Sequence, residues 1–164
     1  VPEPQLTGDL PVLEFLQRQL AGALGPTDTT HLRYPTAISD LLGFRITAVG
    51  PGTASVEVTV DAAALHGNQQ GTLHGGFLTE LADAAIGTAH STVVAAGESF
   101  TSIDIRATFL RPVWRGTLTA HARPSHSGRT ITHYVCDVLR EDGKAVASVT
   151  STMMTLRREG AAGR

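Results

Sequence analysis

Between Phe77 and Ala96 the chain carries a run whose apolar residues go almost all the way round a helix. Phe77, Leu81, Ala85, Ala89 and Val93 recur every fourth position, and Leu78, Ala82 and Ile86 fill the adjacent face. A helix that is apolar on nearly every side has to be buried. The rest of the chain must therefore wrap it. Its polar positions, Thr79, Asp83, Gly87 and His90, fall on one narrow stripe, because i, i+4, i+8 and i+11 superimpose at about 3.6 residues per turn. Asp83 is the residue that most needs a reason, being a carboxylate set among Leu81, Ala82, Ala84, Ala85 and Ile86. Glu80, one turn earlier, is expected to be solvated or to meet a neighbouring chain. Gly97 is expected to close the helix.

The wrapping is supplied by alternating segments. Phe44, Ile46 and Ala48 alternate with Arg45, Thr47 and Val49, and beyond Gly50-Pro51-Gly52 the residues Ala54, Val56, Val58 and Val60 alternate with Ser55, Glu57 and Thr59. Four more strands are expected over 99–110, 117–125, 130–140 and 144–156, separated by turns at Arg111-Pro112, Ser127-Gly128 and Asp142-Gly143. In the first of these, Ile103, Ile105, Ala107 and Phe109 share one face and Ser102, Asp104, Arg106 and Thr108 the other. The simplest architecture is α+β: a curved antiparallel sheet around one long central helix.

A length of 164 residues suits one domain with a proper core. Residues 1–40 form an N-terminal arm and helix, 41–156 the folded domain, and 157–164 a charged, Gly/Ala-rich tail expected to fray. In the N-terminal part, 1–8 is expected to be loose. Asp9 caps a helix with Pro11 in its first turn, and Val12, Leu13, Leu16, Leu20 and Leu24 follow helical spacing up to Gly25-Pro26. This helix is expected to pack on the domain or on a sister subunit, covering part of the pocket or bridging dimers. Pro35 opens a short helical turn through Leu41 and Leu42.

Several function classes are disfavoured. A net charge of -2 gives no general attraction to nucleic acid or to an anionic membrane. No apolar run is long enough for a membrane span, since Glu80 and Asp83 interrupt the richest one. The single cysteine, Cys136, allows no internal disulfide and suits a reducing cytoplasm. His66, His74 and His90, like His121, His126 and His133, lack metal-ligand spacing, so no metal is expected. Walker, Rossmann and Gly-x-Ser-x-Gly signatures are all absent.

The order of two strands, Asn68-x-x-Gly71-Thr72-Leu73-His74-Gly75-Gly76, a helix with Asp83, and Phe109-Leu110-Arg111-Pro112 on the next strand resembles the hotdog-fold acyl-CoA thioesterases. The likeness is to the phenylacetate-degradation and 4-hydroxybenzoyl-CoA type and spans about Leu41 to Leu156. It implies a hotdog fold and hydrolysis of an acyl-CoA thioester to a free acid and coenzyme A. No cofactor is implied, coenzyme A being part of the substrate. It also implies a homodimer as the smallest active unit, joined edge to edge with sites at the seam, and a homotetramer as the usual further assembly. Carried onto this sequence, it makes Asp83 the general base or nucleophile, the Gly75 N–H the donor to the thioester carbonyl, and Asn68 a group that places water or substrate. Asp83 and Gly75 of one site would come from different chains.

His74 is expected to fix the loop through ring hydrogen bonds, with Gly76 beside it in the substrate-binding turn. Ser102 or Thr101 would bring a hydroxyl near the acyl group, and opposite strand parity lets only one face the site, Ser102 being preferred. Arg111 and Arg129 are candidates for the phosphates of coenzyme A. Gly87 lacks the hydroxyl that some aromatic-acyl members carry there. Two other readings of the same fold are a non-catalytic acyl-CoA-binding or regulatory module, with Asp83 structural, and a dehydratase.

Overall fold

A computed structural model describes residues 9–157. The expectations for 1–8 and for most of the tail lie outside the described residues. At the tail's first residue, the Arg157 guanidinium pairs with Glu98 at 2.6 Å.

The elements in chain order are α1 (Val12–Leu20), α2 (Ala37–Leu42), β1 (Arg45–Gly50), β2 (Thr53–Asp61), a π-helical turn (Ala62–His66), α3 (Gly75–Ser91), β3 (Ser99–Phe109), β4 (Arg115–Ser127), β5 (Ile131–Arg140) and β6 (Ala145–Leu156). The six strands make one antiparallel sheet in the order β1-β2-β4-β5-β6-β3. Pairing slips by a residue in β1, β3, β4 and β6. Such bulges bend strands, and here the sheet curls around α3.

The core is the contact between them. Leu78, Leu81, Ala82, Ala85, Ile86 and Ala89 of α3 lie against Val56, Val58, Leu118, Ala120, Cys136 and Val149 of the sheet, all nearly or fully buried. Burying a side chain such as Leu81 or Ile86 contributes about 1.5–3 kcal/mol. The three alanines let the backbone of α3 approach the sheet closely. The fold is the α+β arrangement of a curved antiparallel sheet around one helix that the pattern predicts, and it agrees with the hotdog fold that the resemblance implies.

Four local expectations are corrected. First, α3 ends at Ser91 rather than near Ala96. The Thr92 hydroxyl donates to Ala89 O at 2.7 Å and Gly50 O at 3.1 Å and accepts from Gly52 N at 2.8 Å. It thereby ties the end of the helix to the β1–β2 turn, where hydroxyl-to-backbone bonds compete with helix continuation. Second, Asp9 does not cap α1; Pro11 holds that position without a side-chain bond, and Asp9 accepts instead from the Thr29 hydroxyl at 2.6 Å. Third, α1 stops at Leu20, a turn before Leu24, where Gly22 turns to φ +65. The fourth concerns β3. A bulge between Ser102 and Asp104 puts Ser102 opposite Met153 and Ile105 opposite Ser151. Met153 and Ser151 share the buried face, so Ser102 and Ile105 share it too. Ile103 is the extra residue and breaks the expected alternation.

Candidate active site

The polar stripe of α3 is largely satisfied within the chain. Thr79 donates to Gly75 O at 3.1 Å. His90 is buried, its Nδ1 3.2 Å from the Tyr134 hydroxyl and its Nε2 3.0 Å from Thr155 Oγ1, and burial lowers its pKa so that it is held neutral. Asp83 is the exception. Among the described residues, the one hydrogen bond to its carboxylate comes from the Ser102 hydroxyl, at a long 3.4 Å to Oδ1.

Asp83 faces a cavity of about 770 Å³ that is also lined by Glu80, Ala84, Gly87 and Thr88 of α3, by Phe44 and Phe100, and by residues of α1 and α2. Burial pushes its carboxyl above the ordinary carboxylate pKa, and the Ser102 bond offsets only part of that. Glu80, half-buried, lines the same cavity. Its pKa is raised as well, first by burial and then by the charge on Asp83. A pair of carboxylates in one recess is an environment that keeps at least one of them basic.

The other end of α3 carries the second half of the candidate constellation. His74 is the N-cap, and its Nδ1 accepts from Gly76 N at 3.0 Å. The expected loop-fixing role of His74 corresponds to this bond. Because the ring takes up the Gly76 N–H, the Gly75 N–H is left without a partner among the described residues. It points from the first turn of a 17-residue helix, where the orphan amides and the dipole favour negative charge. A Cβ on Gly75 would come within 2.8 Å of the Phe109 ring. The absence of a side chain is what lets β3 close over this amide.

Asn68 is committed to its own loop. Its Oδ1 accepts from Gln70 N at 2.9 Å and Thr72 N at 3.1 Å, while its Nδ2 donates to Thr72 Oγ1 at 3.0 Å. The clip sets the path of 68–72 into the His74 cap. Leu73 N to Val113 O at 2.7 Å and His74 N to His66 O at 2.9 Å hold its exit.

Asn68, Thr72, Gly75, Leu78, Phe109 and Arg111 line a second, smaller recess of about 290 Å³. Arg111 stands at its edge, with its guanidinium donating to Ala145 O at 2.6 Å. The Thr101 hydroxyl donates to the neighbouring Ser102 carbonyl, at 3.4 Å, and Arg129 lies exposed in the β4–β5 turn; neither lines either recess. Among the described residues, no group of three or more His, Cys, Asp or Glu is placed to hold a metal, and no helix is long and apolar enough to cross a membrane.

Asp83 and Gly75 are thus not brought together within one chain. Eight residues separate them on α3, a rise of about 12 Å, and they open into different recesses. Ser102 is joined to Asp83; Asn68, Gly75 and Arg111 are joined to each other. Phe100 and the apolar positions of α1 and α2 lining the Asp83 cavity were not predicted as site residues. The spacing of Leu16 and Leu20 was visible, but nothing in it said which body that face would meet.

Comparison with known proteins gives a consistent picture. Residues 70–147 match the model of the Thioesterase superfamily. The chain is 39% identical over 120 residues to the Escherichia coli protein named acyl-coenzyme A thioesterase PaaI, covering 71% of this chain and 81% of that one. Among solved structures, the E. coli PaaI protein from the phenylacetic acid degradation operon superimposes with a TM-score of 0.70 at 28% identity, covering 93% of this chain and 99% of that chain. A Haemophilus influenzae thioesterase superimposes at 0.69 with 29% identity, covering 75% of this chain and 85% of that chain.

Proposed function

The chain belongs to the thioesterase superfamily and is a thioester hydrolase, and from that premise we propose that it hydrolyses an acyl-CoA to the free acid and coenzyme A in a site shared by two chains. The observation that carries this is the state of α3. One helix presents a basic, poorly hydrogen-bonded carboxylate to a large cavity and, two turns away, an unpartnered amide at its N-terminus.

A thioester asks little of a catalyst. Its leaving thiolate has a conjugate acid of pKa about 8.5, so no strong general acid is needed. Two things are required: a donor for the developing oxyanion and a means of delivering oxygen. The Gly75 N–H supplies the first. Asp83 supplies the second, either by taking a proton from water or by attacking the carbonyl and forming an anhydride that water then opens. Its raised pKa makes it a better base than an exposed aspartate while leaving it ionised at neutral pH. Ser102 orients the carboxylate. Asn68 and His74 act through the loop and cap that present Gly75, and Arg111 stands where a phosphate of coenzyme A could reach it. No resident cofactor enters this chemistry.

Sharing the site between chains is supported by β3. It is an edge strand paired only with β6, and it carries Ile103 and Phe109 each more than half exposed. An open apolar edge is a template for another strand. Edge-to-edge pairing of two copies would bring the Asp83 of one α3 towards the Gly75 of the other, and a homodimer is then the smallest active unit, with a homotetramer as its further assembly. A cytoplasmic setting suits the lone buried thiol of Cys136. The test is thiol release from a panel of aliphatic and aromatic acyl-CoAs. Turnover well above the spontaneous rate is expected, whereas tight binding without release would contradict the reading.

A further inference from the structure

The Asp83 cavity has a wall that neither the family match at 70–147 nor the catalytic argument uses. Leu16 and Leu20 of α1 and Ile38 of α2 line it together with Asp83, Gly87 and Phe100. Leu20 and Ile38 are large apolar side chains left 43% and 44% exposed, and both line this cavity. The segment behind them is built to hold its place. Val12, Phe15 and Leu16 are buried in a small core of their own with Leu10, Leu24 and Leu32, packed against Ile46 and Val49 of β1. Arg18 adds ion pairs to Glu14 at 2.6 Å and to Asp28 at 3.1 Å.

The chemistry of the lining restricts what fits. Three of its hydroxyls donate within the chain: Tyr34 to Ser91 Oγ at 2.5 Å, Thr36 to Ser39 Oγ at 2.8 Å, and Thr88 to Ala84 O at 2.8 Å, while Gln19, Ser39 and Glu80 add polar groups to the lining. Arg45 is paired with Glu57. At Gly87 a Cβ would meet nothing nearer than Phe100 at 3.9 Å, so the space continues past Asp83 along the helix. A volume of about 770 Å³ lies in the range of about 300–1,000 Å³ typical of pockets that enclose drug-sized molecules.

We propose that the segment from α1 to α2 is the specificity wall of the Asp83 site, and that the acyl group the site admits has an apolar tail much larger than acetyl. This rests on the acyl-CoA reading above and adds the class of acyl group. Exposed Leu20 and Ile38 are then the contacts that an apolar acyl tail covers.

The substitution L20W fills the cavity from its outer wall, and L41W serves as control, because Leu41 lies on α2 but does not line the cavity and is 77% exposed. The ratio of kcat/KM for decanoyl-CoA to that for acetyl-CoA should fall at least about tenfold in L20W, since misfit of even a methylene in an apolar pocket is worth about that much. It should not change in L41W. An unchanged ratio in L20W, or an equal fall in both variants, overturns the proposal.

A second readout does not need turnover. Decanoate, titrated by calorimetry, should bind wild type and L41W alike and L20W at least about tenfold more weakly. Equal binding to wild type and L20W overturns the wall. If no acyl-CoA is hydrolysed, the functional reading fails instead, and the decanoate titration still decides the wall.

Discussion

Asp83→Asn lowers kcat on acyl-CoA substrates by at least about 10²-fold while the chain stays folded. Asparagine keeps the shape and can still accept from Ser102, but it neither takes a proton nor attacks a carbonyl. The pH dependence follows from the same group. In the wild type kcat/KM should fall as pH drops through the Asp83 pKa, with a midpoint above the ordinary carboxylate value of about 3.9 because burial disfavours the charged form. That limb should vanish from the residual activity of Asp83→Asn.

Stability moves the other way. A carboxylate whose folded pKa is raised opposes folding once it ionises; the penalty is absent below the unfolded pKa and complete above the folded one. Tm of Asp83→Asn at pH 7 should therefore be no lower than that of wild type, and any gain should shrink as pH falls through this window. Near-normal turnover by Asp83→Asn would remove the residue from the chemistry.

Gly75→Pro should cost about 10² to 10³ in kcat, the usual loss for one oxyanion donor. Proline removes the amide hydrogen without breaking the helix. Gly75 is the first residue of α3, where proline is well tolerated, and His74 before it has φ -67 and ψ 133, the extended conformation that a residue preceding proline adopts. The new Cβ presses on the Phe109 ring, which is 54% exposed and has room to swing. Gly75→Ala brings the same Cβ and keeps the N–H. A loss confined to the proline variant identifies the donor; equal losses in both would assign the effect to Phe109 and crowding. Circular dichroism and Tm on both variants check that α3 is intact.

Much of this architecture was legible in the chain. An all-apolar helix can be satisfied only by being wrapped, and six alternating segments, two before it and four after it, leave little besides an antiparallel sheet to do the wrapping. Asp83 stood out because a carboxylate among alanines and leucines needs a reason. His74 was legible as a fixing residue because its place just before two glycines is an N-cap.

What was hidden lies in contacts between distant segments. The apolar period of α3 runs on through Val93, and only the bonds from Thr92 to the β1–β2 turn reveal where the helix stops. The β3 bulge changes which face Ser102 occupies, and no residue type announces it. Asn68 shows the limit of motif spacing. Its distance from His74 matches a site residue, and the structure adds that its amide also clips the loop through Gln70 and Thr72. The cavity wall is the plainest case: the spacing of Leu16 and Leu20 predicts an apolar face, and only the fold says that part of it looks at Asp83.

The central claim is that a working site takes Asp83 from one chain and Gly75 from another. Asp83→Asn and Gly75→Pro should be expressed together with different tags and the mixed dimers isolated through both. One site of each mixed dimer then carries both defects and the other carries neither, so thiol release should recover to about half the wild-type rate from two nearly inactive parents. If both groups serve a site within a single chain, no intact site exists in the mixture, and activity that stays at the level of the parents would contradict the account.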